Sequence, residues 1–233
     1  MAAMISEKAE LFDLYAQVGK ALSSPGRLEL LDLLAQAPQT VEELASKSNL
    51  SLANTSQHLQ RLKNARLVDV EREGTYRRYR LADPAVAHLW HALRSLADQQ
   101  LAEVERALDA YRRHRHEFAR ISAQELRERL RTDDVILIDA RPREEFQAGH
   151  LPGALSVPAG EVEQMLDSLP DDKLVVAYCR GPHCVLADEA LEVLAERGRR
   201  VARLEEGVVE WHLTGYELEA SDVPAAPRHH DIG

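Results

Sequence analysis

The sequence predicts two domains of different class: a mainly α half ending in a β-hairpin, then an α/β half built on a mainly parallel sheet. Three observations carry this. Apolar residues recur at helical spacing early in the chain, as in "AELFDLYAQVGKAL" with Leu11, Leu14, Tyr15, Val18 and Leu22. The period changes to alternation in "LVDVEREGTYRRYRLAD", where Glu73-Gly74 marks a hairpin turn. Farther on, short apolar runs such as "VILIDA" and "KLVVAYC" alternate with helical segments, the pattern of buried parallel strands joined by helices.

The remaining elements follow in order. "SSPGRLELLDLLAQ" opens on a Ser-Ser-Pro start signal and repeats Leu28, Leu31 and Leu34. "TVEELASKS" reads as a short helix in which Thr40 is the N-cap and Glu43 completes a capping box. A turn at "NLS" precedes a helix from Leu52. "PAVAHLWHALRSLADQQLAEVERALDAYRRH" reads as one long helix from Pro84, too long to pack on one small domain, so an apolar face is expected to meet another chain. The halves meet near "RRHRHEFARIS", giving expected domains over 1–118 and 119–220, with a polar, proline-rich tail over 221–233 expected to be disordered. The second half adds helices in "SAQELRERLR", "GEVEQMLDSL" and "CVLADEALEVLAERG", a third strand in "RVARLEEG", and a closing helix and turn in "VVEWHLTGYEL".

Charge separates the halves. The net charge is -10, yet residues 1–120 hold 17 Lys and Arg against 16 Asp and Glu, so the acidity lies beyond them. Within residues 51–80, seven basic side chains face three acidic ones, a candidate anion-binding stretch. Two cysteines in 233 residues exclude a disulfide-stapled secreted scaffold and point to a reducing compartment. The N-terminus carries acids and lacks a long apolar core, and no run approaches the roughly 18 apolar residues of a membrane helix. A cytoplasmic protein with no membrane partner is expected.

Helix, turn, helix and a basic hairpin is the layout of a winged helix-turn-helix. The helix from Leu52 presents Asn54, Thr55, Ser56, Gln57 and His58, followed by Arg61 and Lys63. Short polar groups suit base edges, and cations on the later turns suit phosphates. Arg72, Arg77, Arg78 and Arg80 on the hairpin are placed to grip phosphates beside the groove. On the carrying stretches "ALSSPGRLELLDLL", "SQHLQRLKNARLV" and "REGTYRRYRL", this half resembles an ArsR-type transcriptional repressor. The resemblance implies a homodimer formed through the first and last helices of this half, and binding to an inverted repeat in double-stranded operator DNA. Metal-sensing members often carry paired cysteines on the helix that here reads "TVEELA"; this half has no cysteine, so thiolate metal sensing is excluded from it. His88 and His91, three apart on one helix face, are read as surface residues, and neither a metal nor a cofactor is assigned.

Both cysteines, Cys179 and Cys184, sit in "AYCRGPHCVLA" between an apolar strand and a helix. Such a loop gathers backbone N–H groups on one point, and the helix dipole adds positive potential, so a lowered pKa and a reactive thiolate are expected at Cys179, with Arg180 beside it. "LIDARPREEFQAGHLPGALSVP", "VVAYCRGPHC" and "LEEGVVEWHLTGYEL" together resemble a rhodanese domain over residues 120–220. Asp139, Arg141, Glu145, Phe146, Gly149 and His150 fall on its first signature; Gly207, Trp211 and Gly215 fall on its last. The resemblance implies that Cys179 accepts a sulfane sulfur as a persulfide, cradled by the loop amides. Many rhodaneses end this loop in arginine at the position that is Cys184 here. The exchange removes a cation suited to an anionic donor and adds a second sulfur, which could attack a persulfide on Cys179 to give a disulfide or polysulfide bridge. The expected function is a transcriptional regulator that senses reactive sulfur. The alternative is a sulfurtransferase whose DNA-binding half only regulates its own expression.

Overall fold

The computed structural model describes residues 2–112, 117–166 and 169–220. The chain forms two compact units, Met1–Leu101 and Ala102–Gly233. Residues 113–116 of the expected junction, and the tail 221–233, lie outside the described residues.

The first unit runs α1 (Ala2–Leu22), α2 (Pro25–Leu34), α3 (Val41–Lys47), α4 (Leu52–Asn64), β1 (Val68–Glu73), β2 (Tyr76–Leu81) and α5 (Pro84–Gln100). Leu30, Leu31, Leu44, Leu59 and Leu62 are fully buried where α2, α3 and α4 meet, with Val68 and Val86 closing the core. The capping box expected at α3 is present: Glu43 N–H donates to Thr40 Oγ1 at 3.2 Å and Thr40 N–H to Glu43 Oε2 at 2.9 Å. β1 and β2 pair antiparallel, with Glu73 opposite Tyr76 and a turn at Gly74, whose φ of 61° is the left-handed value glycine allows.

The long helix expected from Pro84 is two helices. Leu101 takes an extended conformation, φ -111° and ψ 98°, and α6 (Ala102–Arg112) begins after it in the second unit. The apolar series explains the break. Leu89, Leu93 and Leu96 would continue at 100, where Gln100 stands, and Leu101 arrives one position late, out of phase with the series before it.

In the second unit, β3 (Arg120–Ile121), β4 (Val135–Asp139), β5 (Leu155–Ser156), β6 (Leu174–Tyr178) and β7 (Val201–Leu204) form one parallel sheet in the order β3-β7-β6-β4-β5. Between the strands lie α7 (Ala123–Arg131), α8 (Arg143–Ala148), α9 (Val162–Met165) and α10 (Leu186–Glu196), and α11 (Val208–Leu213) follows β7. Alternation along the strands divides the core into two layers. Leu137, Val176, Tyr178, Ala202 and Leu204 face one way with Leu126, Leu151 and Trp211. Ile138, Val175, Ala177 and Cys179 face the other, against Ala187, Ala190 and Leu191 of α10. From β4 the chain moves to β5 on one side and then to β6 on the other. The strand order therefore reverses between β4 and β6, the place where open α/β sheets leave a crevice beyond their strand ends. No helix among the described residues is long and apolar enough to cross a membrane.

Candidate functional site

The loop from Cys179 to Cys184 leaves β6 at that reversal and enters α10. Its two sulfurs have different surroundings. Cys179 is 2% exposed and continues the inward face of Val175 and Ala177. Cys184 is partly exposed, two residues before α10. The thiols hydrogen-bond each other, and the backbone N–H groups of Leu186 and Arg180 also donate to the Cys184 sulfur. Burial pushes the Cys179 thiol well up, and the neighbouring Cys184 sulfur adds to this. The hydrogen bond from Cys179 brings Cys184 down to about 7, with the two amides assisting. The lowered pKa expected at Cys179 is thus found at Cys184. Amides reach both sulfurs, Leu186 and Arg180 at Cys184 and Ala187 at Cys179, but burial outweighs the Ala187 amide and the Arg203 charge at the strand-end thiol.

An arginine from the neighbouring strand braces this loop. Arg203 of β7, 6% exposed, donates to both carboxylate oxygens of Asp188 at 2.6 Å and, through its other terminal nitrogen, to the carbonyls of Gly181, Pro182 and Cys184 at 3.3, 3.2 and 2.8 Å. Across a trans peptide the N–H points opposite to the C=O, so turning carbonyls toward Arg203 turns the N–H groups of His183 and Val185 away from it. Gly207 backs the loop from behind. A Cβ there would lie 2.4 Å from the carbonyl carbon and oxygen of Arg180 and 2.5 Å from the nitrogen of Gly181. Reasoning from sequence gave no role to Arg203 or Asp188. A lone arginine inside the apolar strand "VARL" was the available signal, because a buried charge needs a partner.

Arg180 lies in the loop, with its guanidinium held bidentate by the buried carboxylate of Glu145 at 2.9 and 2.7 Å. Asp139 is not brought to the sulfurs. It pairs with Tyr178 in register and so shares the face opposite Cys179. Its carboxylate is fully buried and receives Arg141 at 3.0, 3.1 and 2.6 Å, while Arg141 also donates to the Gly149 carbonyl at 2.7 Å. This pair holds the turn that follows α8.

In the first unit, Asn54, Gln57 and Arg61 recur at three- and four-residue steps on α4 and are exposed, as is Ser56. Two neighbours expected beside them turn inward. Thr55 is fully buried and its hydroxyl donates to the Ser51 carbonyl at 3.0 Å. His58 is half-buried with its Nε2 against Gly26, its Nδ1 buried without a hydrogen-bond partner, and its pKa lowered by burial and by Arg27 and Arg61. A 13-residue helix packed on its domain must spend one face on the core, and positions 55, 59 and 62 are that face.

The wing arginines divide similarly. Arg72 and Arg77 are exposed and directly opposite each other across the hairpin. Arg78 instead donates to the Pro38 carbonyl at 2.9 Å and pairs with Glu43, and Arg80 pairs with Glu71 and Asp69. His88 Nδ1 lies 2.9 Å from the Pro84 carbonyl, and His91 lies 3.3 Å from Arg94. Among the described residues no group of three or more His, Cys, Asp and Glu is arranged to hold a metal ion.

Comparison with known proteins gives two family matches: the rhodanese-like domain over residues 122–214 and the bacterial regulatory protein, arsR family, over residues 24–70. The HTH-type transcriptional regulator Rv0324 of Mycobacterium tuberculosis is 41% identical over 219 residues, covering 94% of this chain and 96% of that protein. A sulfurtransferase of Allochromatium vinosum is 32% identical over 104 residues, covering 44% of this chain and 95% of that one. Among solved structures, the homodimeric winged helix-turn-helix DNA-binding domain of Mb0332 from Mycobacterium bovis is 44% identical, covering 41% of this chain and 89% of that one with a TM-score of 0.39.

Proposed function

Because this chain belongs to the arsR-family HTH-type transcriptional regulators and carries a rhodanese-like domain, we propose that it represses an operator as a homodimer and releases it when reactive sulfur modifies Cys179 and Cys184. The observation that carries the reading is the thiol pair. The only two cysteines of the chain share a hydrogen bond in one loop, and one of them is brought to about 7. A dithiol with a ready thiolate can be oxidised once by a sulfane sulfur and restored by a reductant, which is the chemistry of a switch.

The first unit supplies the rest of the proposal. Asn54, Ser56 and Gln57 read base edges, and Arg61, Arg72 and Arg77 hold phosphates. Two arginines directly opposite across a hairpin repel each other, and a phosphate between them relieves that cost. Leu11, Phe12, Leu14 and Tyr15 on α1 are 50–66% exposed, and Leu89, Leu96 and Leu101 remain exposed on and just after α5. A second copy of the chain covers these faces in the proposed dimer, each buried leucine contributing about 1.5–3 kcal/mol.

Operator affinity measured by fluorescence anisotropy before and after polysulfide treatment tests the proposal. A regulatory response requires about a 10- to 100-fold loss, or about 1.4–2.8 kcal/mol of coupling. Unchanged affinity, or an unaltered response in Cys179→Ser, overturns it. The likeness to the Allochromatium vinosum sulfurtransferase favours a second reading, in which the domain turns sulfur over. Steady-state cyanide-dependent turnover with thiosulfate supports that reading; a single turnover ending in a modified pair supports the sensor.

A further inference from the structure

Both arginines that touch the sulfur loop are engaged by buried carboxylates. Arg180 donates through Nε and Nη2 to the two oxygens of Glu145, at 2.9 and 2.7 Å, and Glu145 is fully buried. Arg203 donates through Nη1 to both oxygens of Asp188, and through Nη2 to the carbonyls of Gly181, Pro182 and Cys184. Neither guanidinium can turn toward an incoming anion without stranding a carboxylate in the interior. Position 184, whose side chain does reach the Cys179 sulfur, holds a thiol. What the loop offers a negative group is therefore backbone N–H, at the foot of α10. The wider field is unfavourable to anions as well, since residues 121–233 hold 12 Lys and Arg against 23 Asp and Glu.

We infer that this loop takes sulfur from donors that carry it on a sulfur chain, hydropolysulfide or alkyl persulfide, and discriminates against thiosulfate, which carries it on a sulfite group. This rests on the reading that the pair senses reactive sulfur. With hydropolysulfide, Cys179 gives up its proton and its sulfur bonds to the donor's terminal sulfur. The donor's S–S bond breaks, and the shortened chain leaves with the bonding electron pair and takes the proton. Cys179 is left as a persulfide, and Cys184 stands within reach of it. The charge that enters and leaves is single and spread over sulfur, which a few amides can hold. Thiosulfate brings a double charge, and sulfite must depart with that charge gathered on three oxygens. Compact oxyanions are stabilised by charge-assisted hydrogen bonds, and the loop's two guanidinium groups already make theirs to Glu145 and Asp188.

The test compares sodium polysulfide with thiosulfate in single-turnover reactions of the reduced full-length protein, read by alkylation and peptide mass spectrometry. The ratio of the two rate constants is followed across variants, so that the intrinsic reactivity of each donor cancels. Glu145→Gln releases Arg180, and Cys184→Arg places a cation beside the Cys179 sulfur. In each, the thiosulfate-to-polysulfide ratio is expected to rise at least about tenfold. In the wild type the thiosulfate rate should increase between about 0.05 and about 0.5 M salt, because screening relieves repulsion from the acidic unit. Urea unfolding checks that the variants fold, and Cys184→Arg decides alone if Glu145→Gln does not. A smaller rise in the ratio, or a wild-type thiosulfate rate that falls with salt, overturns the donor assignment and leaves the sensing reading standing. A wild type that neither donor modifies overturns the sensing reading and this inference with it.

Discussion

Replacing Arg203 with methionine separates what the loop's brace contributes to stability from what it contributes to the sulfurs. Arg203 and Asp188 are 7% and 8% exposed as side chains, and their contacts are both 2.6 Å. Removing one partner of such a pair strands a buried charge, which costs about 3–5 kcal/mol. Three loop carbonyls also lose their donor, at about 1 kcal/mol each where water does not replace it. Combining Arg203→Met with Asp188→Leu removes the stranded carboxylate and is expected to recover most of the first cost, leaving a deficit of about 1–3 kcal/mol from the carbonyls. The thiol follows a different pattern. With the loop no longer braced, the Cys179 thiol and the Leu186 and Arg180 amides lose their fixed placement around the Cys184 sulfur, and its midpoint is expected to rise from about 7 toward the free-thiol value of about 8.5 in both variants. The thiolate fraction at pH 7 then falls from about half to about 3%, and alkylation slows in proportion. Urea unfolding is followed by the fluorescence of Trp211, 3% exposed in this unit, in a Trp90→Phe background, and thiol titration is followed by alkylation against pH. A loss below about 1 kcal/mol in Arg203→Met, or a Cys184 midpoint that stays at about 7 in the double variant, refutes the reasoning.

Gly207→Ala places a methyl 2.4 Å from the backbone of Arg180, which has no flexible end to yield. The expected cost is about 1–3 kcal/mol, read by urea unfolding, with faster amide exchange across residues 180–184. Arg72→Gln and Arg77→Gln should each lower the slope of log affinity against log salt by about 0.9, while Arg78→Gln, already engaged by Pro38 and Glu43, leaves the slope unchanged. Thr55→Val should cost about 0.5–1.5 kcal/mol of folding stability with base preference intact, whereas Gln57→Ala leaves stability intact and relaxes discrimination at one base pair by about 1–3 kcal/mol, measured on a panel of operator variants.

Much of the fold was legible because it is written in periods. The capping box at Thr40, the hairpin turn at Gly74 and the strands around "VILIDA" and "KLVVAYC" each follow from spacing and residue type. The short edge strands β3 and β5 were not legible, since two residues cannot show an alternation. The break at Leu101 carries no glycine or proline, and only the phase of the apolar series marks it. On α4 the spacing of Leu59 and Leu62 already fixes the buried face, and extending it back four positions places Thr55 inside. The list of polar residues obscured this, because a threonine is counted as a DNA reader by its chemistry before its angle on the helix is considered. Arg78 and Arg80 show the same limit for charge: composition shows that arginines are present, and only the structure shows which ones acids have already engaged.

The different surroundings of the two cysteines follow from where a strand-to-helix loop places its ends. Strand residues alternate, so with Val175 and Ala177 on the core face, position 179 must share that face. A thiol there is desolvated by construction. The residues just before a helix sit where unpaired N–H groups point and where the helix dipole is positive, so a thiol at position 184 is stabilised as its anion. In rhodaneses that end the loop in arginine, positive charge at this point would draw an anionic donor toward the strand-end cysteine. Cysteine in its place removes that charge and sets a second sulfur, brought down to about 7, within hydrogen-bonding reach of the strand-end thiol. Under the sensing role proposed above, a loop without that cation suits a single oxidation of the pair, undone by a reductant, better than repeated transfer from an anionic donor.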